Sequence, residues 1–467
     1  MIIPALTGRG RDGYRSLERK TLTGFDGSPI AEVTITPPLL VHDIATRATA
    51  SLRALPIDNL LEIFRRAACI FVGSQPDGLA PEAYVRNASL TSGMPLSIMR
   101  RQTLGLFLTA LRTMDRFLEA QSPGGLQVFD SNTYSTGGVS IGLVPRGRNV
   151  GFVMPGNHPS THFMWLGALA MKLPVVVRPS EDDVFTPNRL AMALMEAGLP
   201  EDAIACVPGA HELVDAIVQA CDLAVLFGMQ HLEDRYAANR NVKVYGPGRS
   251  KVVVLPNADF ERTVEMIYRM VMDDAGRGCI NASAVIVEGD AAELACAVAR
   301  TLERIPIVSP LVEGAQLGAV RSTGEANAYN AFIDSGLLEG GKEWTPGRSE
   351  RVATVDGASM MRPTVIQVPS PQHPLFGLEL PFPFVIFAPA RSREDTLNAA
   401  RNSLVVAIAG EDETMTRALF LDPTIDKVYA GGALSTDFDP REPHEGFLLD
   451  FLYQKKALRS GNSGREQ

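Results

Sequence analysis

The stretch Asp273–Val287 reads DDAGRGCINASAVIV and holds Cys279 in a glycine-rich turn. Polar residues typical of a helix precede the turn, and a β-branched apolar run typical of a strand follows it. Glycines at positions 276 and 278 allow a ligand to come close to the backbone. A thiol in such a turn becomes a useful nucleophile when a neighbouring cation such as Arg277, or a helix N-terminus, lowers its pKa. The alternative is that Cys279 is a small buried hydrophobic side chain, which is the commoner role of a lone cysteine.

The composition is that of a globular protein with more than one domain. The chain has 467 residues, 45% of them hydrophobic and 21% charged, and this length predicts two or three domains. The net charge of −9 argues against a nucleic-acid binder, which needs a basic surface. Five cysteines at wide spacings, with no CxxC pair, predict neither a disulfide framework nor a metal site and favour a reducing compartment. No apolar run reaches the roughly 18 residues of a membrane span, and the apolar N-terminus is too short for a signal peptide, so we expect a cytoplasmic protein.

The first third of the chain predicts a helical layer followed by a short arm. A strand is expected at 30–35, and apolar residues at helical spacing predict helices over 58–72, 81–90 and 96–120. Strand-like runs at 126–129 and 138–143 flank the polar turn SNTYST, and this pattern predicts a hairpin. We interpret the hairpin as an arm that pairs with another subunit.

From residue 149 onward the pattern alternates between strand and helix, which predicts βαβ units and a parallel sheet. Ligands of such sheets bind at the carboxyl ends of the strands. The GxGxxG fingerprint is missing, so the pattern alone leaves dinucleotide binding open. A second α/β unit is expected from residue 256, with a mixed, Gly-rich segment at 306–360 and a disordered tail at 460–467. The strands of the first unit are expected at 150–154, 174–178, 203–207, 223–227, 242–245 and 251–255.

Eight sequence blocks follow one another in a characteristic order. They are VMPGNHPS (153–160), VVVRPSEDDVFTP (175–187), LFGM (226–229), VYGPGRSKVVV (244–254), AGRGCINASAVIV (275–287), RPTVIQV (362–368), HPLFGLELPFPFV (373–385) and ARNSLVVAIAG (400–410). This ordered set resembles the aldehyde dehydrogenase superfamily over roughly residues 20–455. With PHEGF at 443–447, it looks most like the acyl-CoA reductase branch typified by LuxC.

The resemblance implies an α/β fold of three parts. The first is a Rossmann-like cofactor domain with the helical layer, residues 1–122 and 148–255. The second is an α/β catalytic domain, residues 256–433. The third is a β-hairpin oligomerisation arm with the tail, residues 123–147 and 434–467.

The resemblance also assigns catalytic roles. Cys279 falls on the family's nucleophile, and Asn157 falls on the asparagine whose amide helps to form the oxyanion hole. His158, beside Asn157, is a candidate proton donor, and its alternative is a purely structural role. No metal is implied.

The implied cofactor is NADPH or NADH. Arg178 stands where the family usually has a lysine, and Glu181 stands where it has an acid near the adenosine ribose. A carboxylate there favours NAD and an arginine accepts the 2′-phosphate of NADP, so the choice stays open. The residues assigned to cofactor binding are Pro155, Gly156, Arg178, Pro179, Ser180, Glu181, Phe227, Gly228, Met229, Tyr245, Gly246 and Phe376.

Two departures from the family pattern bear on the reaction. Tyr245 stands where hydrolytic members carry a general-base glutamate, and a phenol with a pKa of about 10 is a poor base. Pro374 stands where they carry a glutamate that holds the nicotinamide ribose, with Glu379 close by as a substitute. Without the base, a thioacyl group on Cys279 would wait for hydride rather than water.

We therefore interpret the sequence as that of an NAD(P)H-dependent oxidoreductase, which reduces an acyl-CoA or another acyl thioester to an aldehyde. The expected partners are that thioester, an acyl-activating synthetase or carrier protein, and further copies of the chain in a homo-oligomer. Two alternatives stay open. One is an aldehyde dehydrogenase acting oxidatively, either CoA-acylating or hydrolytic, and the other is a non-catalytic acyl-binding subunit. Aliphatic and aromatic acyl groups both fit the sequence.

Overall fold

The structure is a computed structural model that describes residues 1–47, 51–345, 350–437 and 439–459. Its N-terminal part is a small sheet with a layer of helices. Strand β3 (Pro29–Thr34) pairs in parallel with β1 (Ile2–Ile3) and antiparallel with β2 (Arg19–Thr23), which confirms the strand expected at 30–35. The helices are α1 (Pro38–Thr46), α2 (Ser51–Ala54), α3 (Ile57–Gly73), α4 (Pro81–Ser92), α5 (Leu96–Arg100), α6 (Leu106–Arg112), α7 (Met114–Gln121) and α8 (Val128–Ser131).

The single helix predicted over 96–120 is wrong. Arg101–Gly105 form a turn of π-helix between α5 and α6, and Thr113 separates α6 from α7. Single π-helical turns inside α-helices are frequent at functional sites. This turn directs the side chains of Arg101 and Gln102 to Asp274, in the segment that leads to Cys279.

The hairpin exists, but its strands differ from those predicted. Strand β4 (Thr133–Thr136) lies in the polar run expected to be the turn, and it pairs with β5 (Val139–Pro145). Residues expected as a strand at 126–129 instead lead into helix α8. The turn consists of Gly137 and Gly138, both at positive φ (55° and 77°), as two-residue hairpin loops with matching twist require.

A five-stranded parallel sheet follows, in the order β10-β9-β6-β7-β8. Its strands lie within a residue or two of the predicted ones, so the first βαβ unit is confirmed. Central β6 is buried along its whole length and ends just before Pro155–Asn157. The strands are β6 (Val150–Val153), β7 (Val175–Arg178), β8 (Ile204–Cys206), β9 (Leu223–Phe227) and β10 (Val242–Tyr245), and the helices are α9 (Phe163–Ala170), α10 (Phe185–Glu196), α11 (Leu213–Ala220) and α12 (Gln230–Tyr236).

The second sheet has seven strands within the described residues, in the order β14-β17-β18-β12-β11-β19-β20. Strand β11, assigned from the sequence to the cofactor domain, belongs to this sheet instead, because it pairs with β12 and β19. Helix α15 lies in the segment expected to be mixed. The elements are β11 (Lys251–Val254), α13 (Phe260–Met272), β12 (Ala284–Glu288), α14 (Ala292–Glu303), β13 (Ala319–Val320), α15 (Thr323–Leu338), β14 (Lys342–Glu343), β15 (Val352–Val355), β16 (Ala358–Met361), β17 (Thr364–Gln367), β18 (Phe384–Ala390), α16 (Arg393–Ala400), β19 (Ser403–Ala409), α17 (Glu413–Phe420) and β20 (Ile425–Tyr429).

The chain then returns to the arm. Helix α18 (Leu448–Leu452) precedes β21 (Tyr453–Leu458), which pairs antiparallel with β5 and makes the arm a three-stranded sheet. Tyr453 anchors it, since its ring packs edge-on against Phe129 at 5.9 Å and its hydroxyl donates to the carbonyl of Met171. The disorder expected at 460–467 concerns residues outside the described part of the chain. Among the described helices, none is both long enough and apolar enough to cross a membrane.

Candidate active site

The turn before Cys279 holds an unusual backbone. Asp274, Ala275 and Gly276 follow one another with φ of 47°, 60° and 72°, although non-glycine residues rarely adopt this left-handed region. A Cβ on Gly276 would lie 2.6 Å from the backbone nitrogen of Pro383. Asn281 closes the turn, because its side chain donates to the carbonyls of Met270 and Asp273 and accepts from Gly278 N–H. Strain of this kind is often kept where a side chain must be held for function.

Arg277 does not activate the thiol, so that prediction is wrong. Its buried guanidinium donates to the carbonyls of Ser92 (2.6 Å) and Ala319 (2.5 Å). Burial raises the pKa of the Cys279 thiol to about 12, and the carboxylates of Glu379 and Glu445 act in the same direction. The side chain nevertheless stays partly accessible. A nucleophilic role for Cys279 therefore requires a neighbouring group that takes its proton.

His444 lies next to the thiol, and the sequence analysis did not assign it. Its Nε2 is 3.9 Å from Cys279 Sγ. The His444 ring packs tilted on Tyr245 at 6.2 Å, and Tyr245 stacks on Phe227 at 5.0 Å. Burial lowers the pKa of His444 to about 3, with the charges of two lysines adding to the effect, so the imidazole is neutral. The one sequence signal was the motif PHEGF, which contains this histidine.

Asn157 comes to the same turn from the end of β6. Its side-chain Nδ2 donates to the carbonyl of Arg277 at 2.9 Å, two residues before Cys279. An amide NH₂ carries two donors, so one N–H remains for a ligand. Asn157 is thus brought to the turn that carries Cys279.

His158 joins a polar network behind the turn. Its Nε2 lies 2.8 Å from Asp274 Oδ2, and its Nδ1 accepts from the Ser160 backbone. Asp274 also accepts from Arg101 and Gln102 of the π-helical turn, at 2.5 and 2.7 Å. Burial alone would raise the pKa of Asp274, but His158 and Arg101 outweigh it and lower the value to about 2. This network ties the Asn157 loop to the Cys279 turn, which favours a positioning role for His158.

Residues assigned to the cofactor lie mostly where β6, β7, β9 and β10 end. Pro155 and Gly156 follow β6, Arg178 ends β7, and Pro179 and Ser180 follow it. The glycines pack closely: a Cβ on Gly156 would lie 2.5 Å from Ser180 Oγ, one on Gly228 would lie 2.4 Å from Leu232 Cδ1, and one on Gly246 would lie 1.9 Å from Glu233 Oε1. Met229, after β9, is exposed. The carboxyl edge of the sheet is where open α/β sheets bind ligands.

The two residues that were to decide between NAD and NADP differ in accessibility. Arg178 is buried and donates to the carbonyl of Gly209 at 3.1 Å. Glu181 is exposed, and its Oε2 lies 2.6 Å from Lys20 Nζ on β2. Both charges of this pair line a surface pocket together with Pro179, Val184, Pro208, Gly209, Val33 and Ile35. Lys20 was not predicted as a site residue, because nothing in its own stretch of sequence indicates this contact.

Tyr245, Glu379 and Phe376 lie in different surroundings. Burial raises the pKa of Tyr245 well above its usual value, and within the described chain its hydroxyl has no hydrogen-bond partner. Glu379 accepts from the backbone N–H groups of Gly248 (3.1 Å) and Arg249 (2.5 Å), and burial raises its pKa to about 7. Phe376, assigned to the cofactor, is half-buried and packs against the apolar clusters of the second sheet, and its role stays a prediction. No group of three or more metal-binding side chains lies together among the residues described.

Comparison with known families and proteins gives a consistent picture. The aldehyde dehydrogenase family model matches residues 43–426. The chain is 32% identical over 215 residues to malonate-semialdehyde dehydrogenase 2 of Bacillus mycoides, covering 44% of each chain. It is 29% identical over 261 residues to malonate-semialdehyde dehydrogenase 2 of Geobacillus thermodenitrificans, covering 54% of each. The chain spans about half the length of these curated relatives.

Solved structures share the fold. An aldehyde dehydrogenase of Pseudomonas syringae, solved with NAD⁺ and octanal, superposes with a TM-score of 0.82 at 19% identity, covering 96% of this chain and 94% of the other. An NAD-dependent benzaldehyde dehydrogenase of Corynebacterium glutamicum gives 0.77 at 20% identity, covering 95% of each. These likenesses confirm the predicted α/β fold.

The same comparisons correct the predicted reaction. The relatives are named for the dehydrogenation of an aldehyde and not for the reduction of an acyl-CoA. Placement in the LuxC-type branch and the NAD(P)H-dependent reduction of an acyl thioester are therefore both wrong. The expected synthetase or carrier-protein partner, which rested on that reaction, loses its support with it.

Proposed function

The chain belongs to the aldehyde dehydrogenase family, and we propose that it oxidises an aldehyde to an acyl group carried as a thioester on Cys279, with NAD⁺ or NADP⁺ as cofactor. The observation that carries the proposal is the meeting of Cys279, Asn157 and His444 around one turn. These side chains come from sequence segments that are far apart. A nucleophile, an amide donor and an imidazole at one point are what thiol attack on a carbonyl requires.

The chemistry of the chain's own residues is as follows. Cys279 Sγ attacks the aldehyde carbon, and the thiol proton leaves the sulfur. The second Nδ2 hydrogen of Asn157 and the backbone N–H of Cys279 stabilise the oxygen of the resulting thiohemiacetal. Such donors contribute about 3–4 kcal/mol each to barrier lowering when they are fixed in advance. Loss of the C–H hydrogen as hydride, which a bound nicotinamide would accept, together with loss of the hydroxyl proton, would leave a thioester on Cys279.

The residues at the carboxyl edge of the first sheet fit a dinucleotide. Gly156, Gly228 and Gly246 lie in the loops that follow β6, β9 and β10 at that edge, where backbone N–H groups can contact a diphosphate. Glu181 and Lys20 line a small surface pocket, and we assign the adenosine end to their side of the sheet. When bound, the cofactor supplies the hydride acceptor. Its use is supported further by the NAD⁺-containing structure of the P. syringae enzyme.

Release of the acyl group has to proceed without Tyr245. Its phenol is buried and its pKa is raised, so it cannot activate water. The acceptor is therefore either water activated by another base, or a thiol such as that of coenzyme A, which needs less assistance because its pKa is lower. Both acceptors belong in the first assays.

The test is turnover with a panel of aldehydes. Short, carboxylate-bearing and aromatic aldehydes are incubated with NAD⁺ or NADP⁺, with and without coenzyme A, and reduced nicotinamide is followed by absorbance. A carboxylate-bearing semialdehyde is included because the curated relatives are named for one. We expect turnover that Cys279→Ala abolishes and that Asn157→Ala lowers about 10²–10³-fold. Absence of reduced nicotinamide with every aldehyde would refute the proposal.

A further inference from the structure

We propose that His444 is the catalytic base of this site, taking the proton of Cys279 as the thiol attacks. The inference rests on the proposed function, since it names the group that makes that reaction feasible. It assigns a role to a segment that follows the second sheet in the chain and that neither the family match at 43–426 nor the sequence pattern explains.

His444 contacts the reacting sulfur atom. His444 Nε2 and Cys279 Sγ are 3.9 Å apart in hydrogen-bonding geometry, and a base must lie within such reach of the proton it takes. His158 is held elsewhere, by Asp274 at 2.8 Å. The Tyr245 ring packs against His444 at 6.2 Å, and its raised pKa keeps the phenol protonated.

The His444 imidazole is held in place by its neighbours. Tyr245 and Phe227 stack against one another and support one side of it. The next residue, Glu445, has a left-handed backbone with φ of 52°, and its carbonyl accepts from Lys243 Nζ at 2.5 Å. Backbone strain of this kind costs free energy, and it is kept where the position of a neighbouring side chain matters for function.

Cys279 and His444 are both neutral before the reaction. The groups facing it are Lys243, Lys427, Glu379 and Glu445. Burial raises the pKa of the thiol and lowers that of the imidazole, so the resting pair is neutral thiol and neutral imidazole. These two shifts oppose proton transfer in the resting pair, so the proton moves to Nε2 only as the sulfur bonds to carbon and the carbonyl oxygen takes up negative charge beside Asn157.

The proton balance is complete. In the first step the S–H bond breaks, the S–C bond forms, and the proton passes through His444 Nε2 to the oxygen of the thiohemiacetal. In the second step the C–H hydrogen leaves as hydride to the oxidised nicotinamide, and the hydroxyl proton returns to His444 Nε2. Each oxidation thus releases one proton, and the nicotinamide is the species reduced.

The experiment compares alkylation and turnover in wild type, His444→Gln, His444→Ala and the surface control His42→Gln. Iodoacetamide labelling of the Cys279 peptide is followed by mass spectrometry, and exposed Cys69 in the same sample calibrates the reagent. We expect both His444 variants to label Cys279 more than 10-fold more slowly, with Cys69 unchanged. We expect kcat to fall about 10²–10⁴-fold while KM for the aldehyde stays within about two-fold, and added imidazole to restore part of the activity of His444→Ala.

The outcomes separate the two proposals. Unchanged labelling of Cys279 in His444→Gln would overturn the role of His444, even if the enzyme oxidises aldehydes. Slower labelling without aldehyde oxidation in wild type would support the pairing and refute the proposed function. A fall in activity with raised KM, no imidazole rescue and normal labelling would mean that His444 only packs against Tyr245. If His444→Ala does not fold, the labelling of His444→Gln decides.

Discussion

Asp274 makes the stability of the site depend on pH in the acid range. Its carboxylate pKa is lowered to about 2. A lowered native pKa contributes stability above the unfolded pKa of about 3.9, and this contribution is lost as the pH falls through the native value. The shift corresponds to about 2 kcal/mol for this buried group.

We predict that Asp274→Asn is less stable than wild type by about 2 kcal/mol at neutral pH. The difference in free energy of unfolding should shrink as the pH falls from about 4 toward 2, because wild type then loses the same charge. Urea unfolding at a series of pH values measures it. A difference that stays constant down to the lowest pH at which both proteins fold would show that the carboxylate charge contributes nothing.

Lys20 is predicted to bias the choice of cofactor. Its Nζ lies 2.6 Å from Glu181 Oε2. This ion pair weakens the hydrogen bond that the carboxylate would accept from a free ribose hydroxyl. Removing it in Lys20→Ala should raise kcat/KM for NAD⁺ relative to NADP⁺ several-fold, as expected for an exposed pair contributing no more than about 1 kcal/mol. Lys20→Arg keeps the pair and serves as the control. An unchanged ratio in Lys20→Ala would place the adenosine end elsewhere.

At the scale of residues, the sequence indicates local chemistry better than distant contacts. Cys279 and Asn157 stand in ordered motifs, and the structure brings them to one turn, while their roles stay predictions. His444 lies 165 positions from Cys279, and no spacing rule joins them. The prediction that Arg277 activates Cys279 failed because closeness in sequence does not fix where a long side chain points.

Among the structural elements, the turn that carries Cys279 gives a sharp prediction about Gly276. Gly276→Ala places a Cβ 2.6 Å from the Pro383 backbone nitrogen, whereas Gly377, also at positive φ (83°), has open space. Both changes incur the left-handed penalty of roughly 1–2 kcal/mol. Only Gly276→Ala should also displace the turn and lower kcat by more than 10-fold, as steady-state assays of the two variants would show. Equal activities would mean that the close approach does not matter.

At the same scale, strands were predicted well where apolar runs alternate with helices, as in β6–β10. The hairpin was misplaced because its polar strand β4 looks like a turn, and only the left-handed pair Gly137 and Gly138 marks the true loop. Helix α15 was missed in a Gly-rich segment, although Ser322 and Glu325 form the start signal S-x-x-E, and the Ser322 hydroxyl does cap it. The interruption of the predicted long helix depends on contacts to Asp274 that no local pattern contains.

For the whole molecule, we propose that the arm of β4, β5 and β21 joins copies of the chain. Val139 and Leu458, near the end of this sheet, are each 53% exposed. Changing both to lysine should shift the protein toward monomer without loss of secondary structure, because the charges cannot be buried between subunits. Light scattering after gel filtration and circular dichroism measure both properties. An unchanged mass would place any interface elsewhere.

The division of the chain into sheets was predictable only in part. The alternation of strands and helices gives two α/β units, but β11 continues the first series in sequence while pairing in the second sheet. Sheet membership depends on long-range pairing, which alternation cannot specify. The predicted reduction of an acyl thioester was also wrong, because the missing base at Tyr245 bears on how the acyl group is released and not on the direction of hydride transfer.

The most direct measurement is the mass of the intact protein after a single turnover. The protein is mixed with excess aldehyde and NAD⁺ or NADP⁺ without coenzyme A and quenched in acid. The account predicts an acyl group on Cys279 in the first turnover, at most one for each reduced nicotinamide formed, and no adduct in Cys279→Ala. Reduced nicotinamide without dependence on Cys279, or no reaction with any aldehyde, would contradict it.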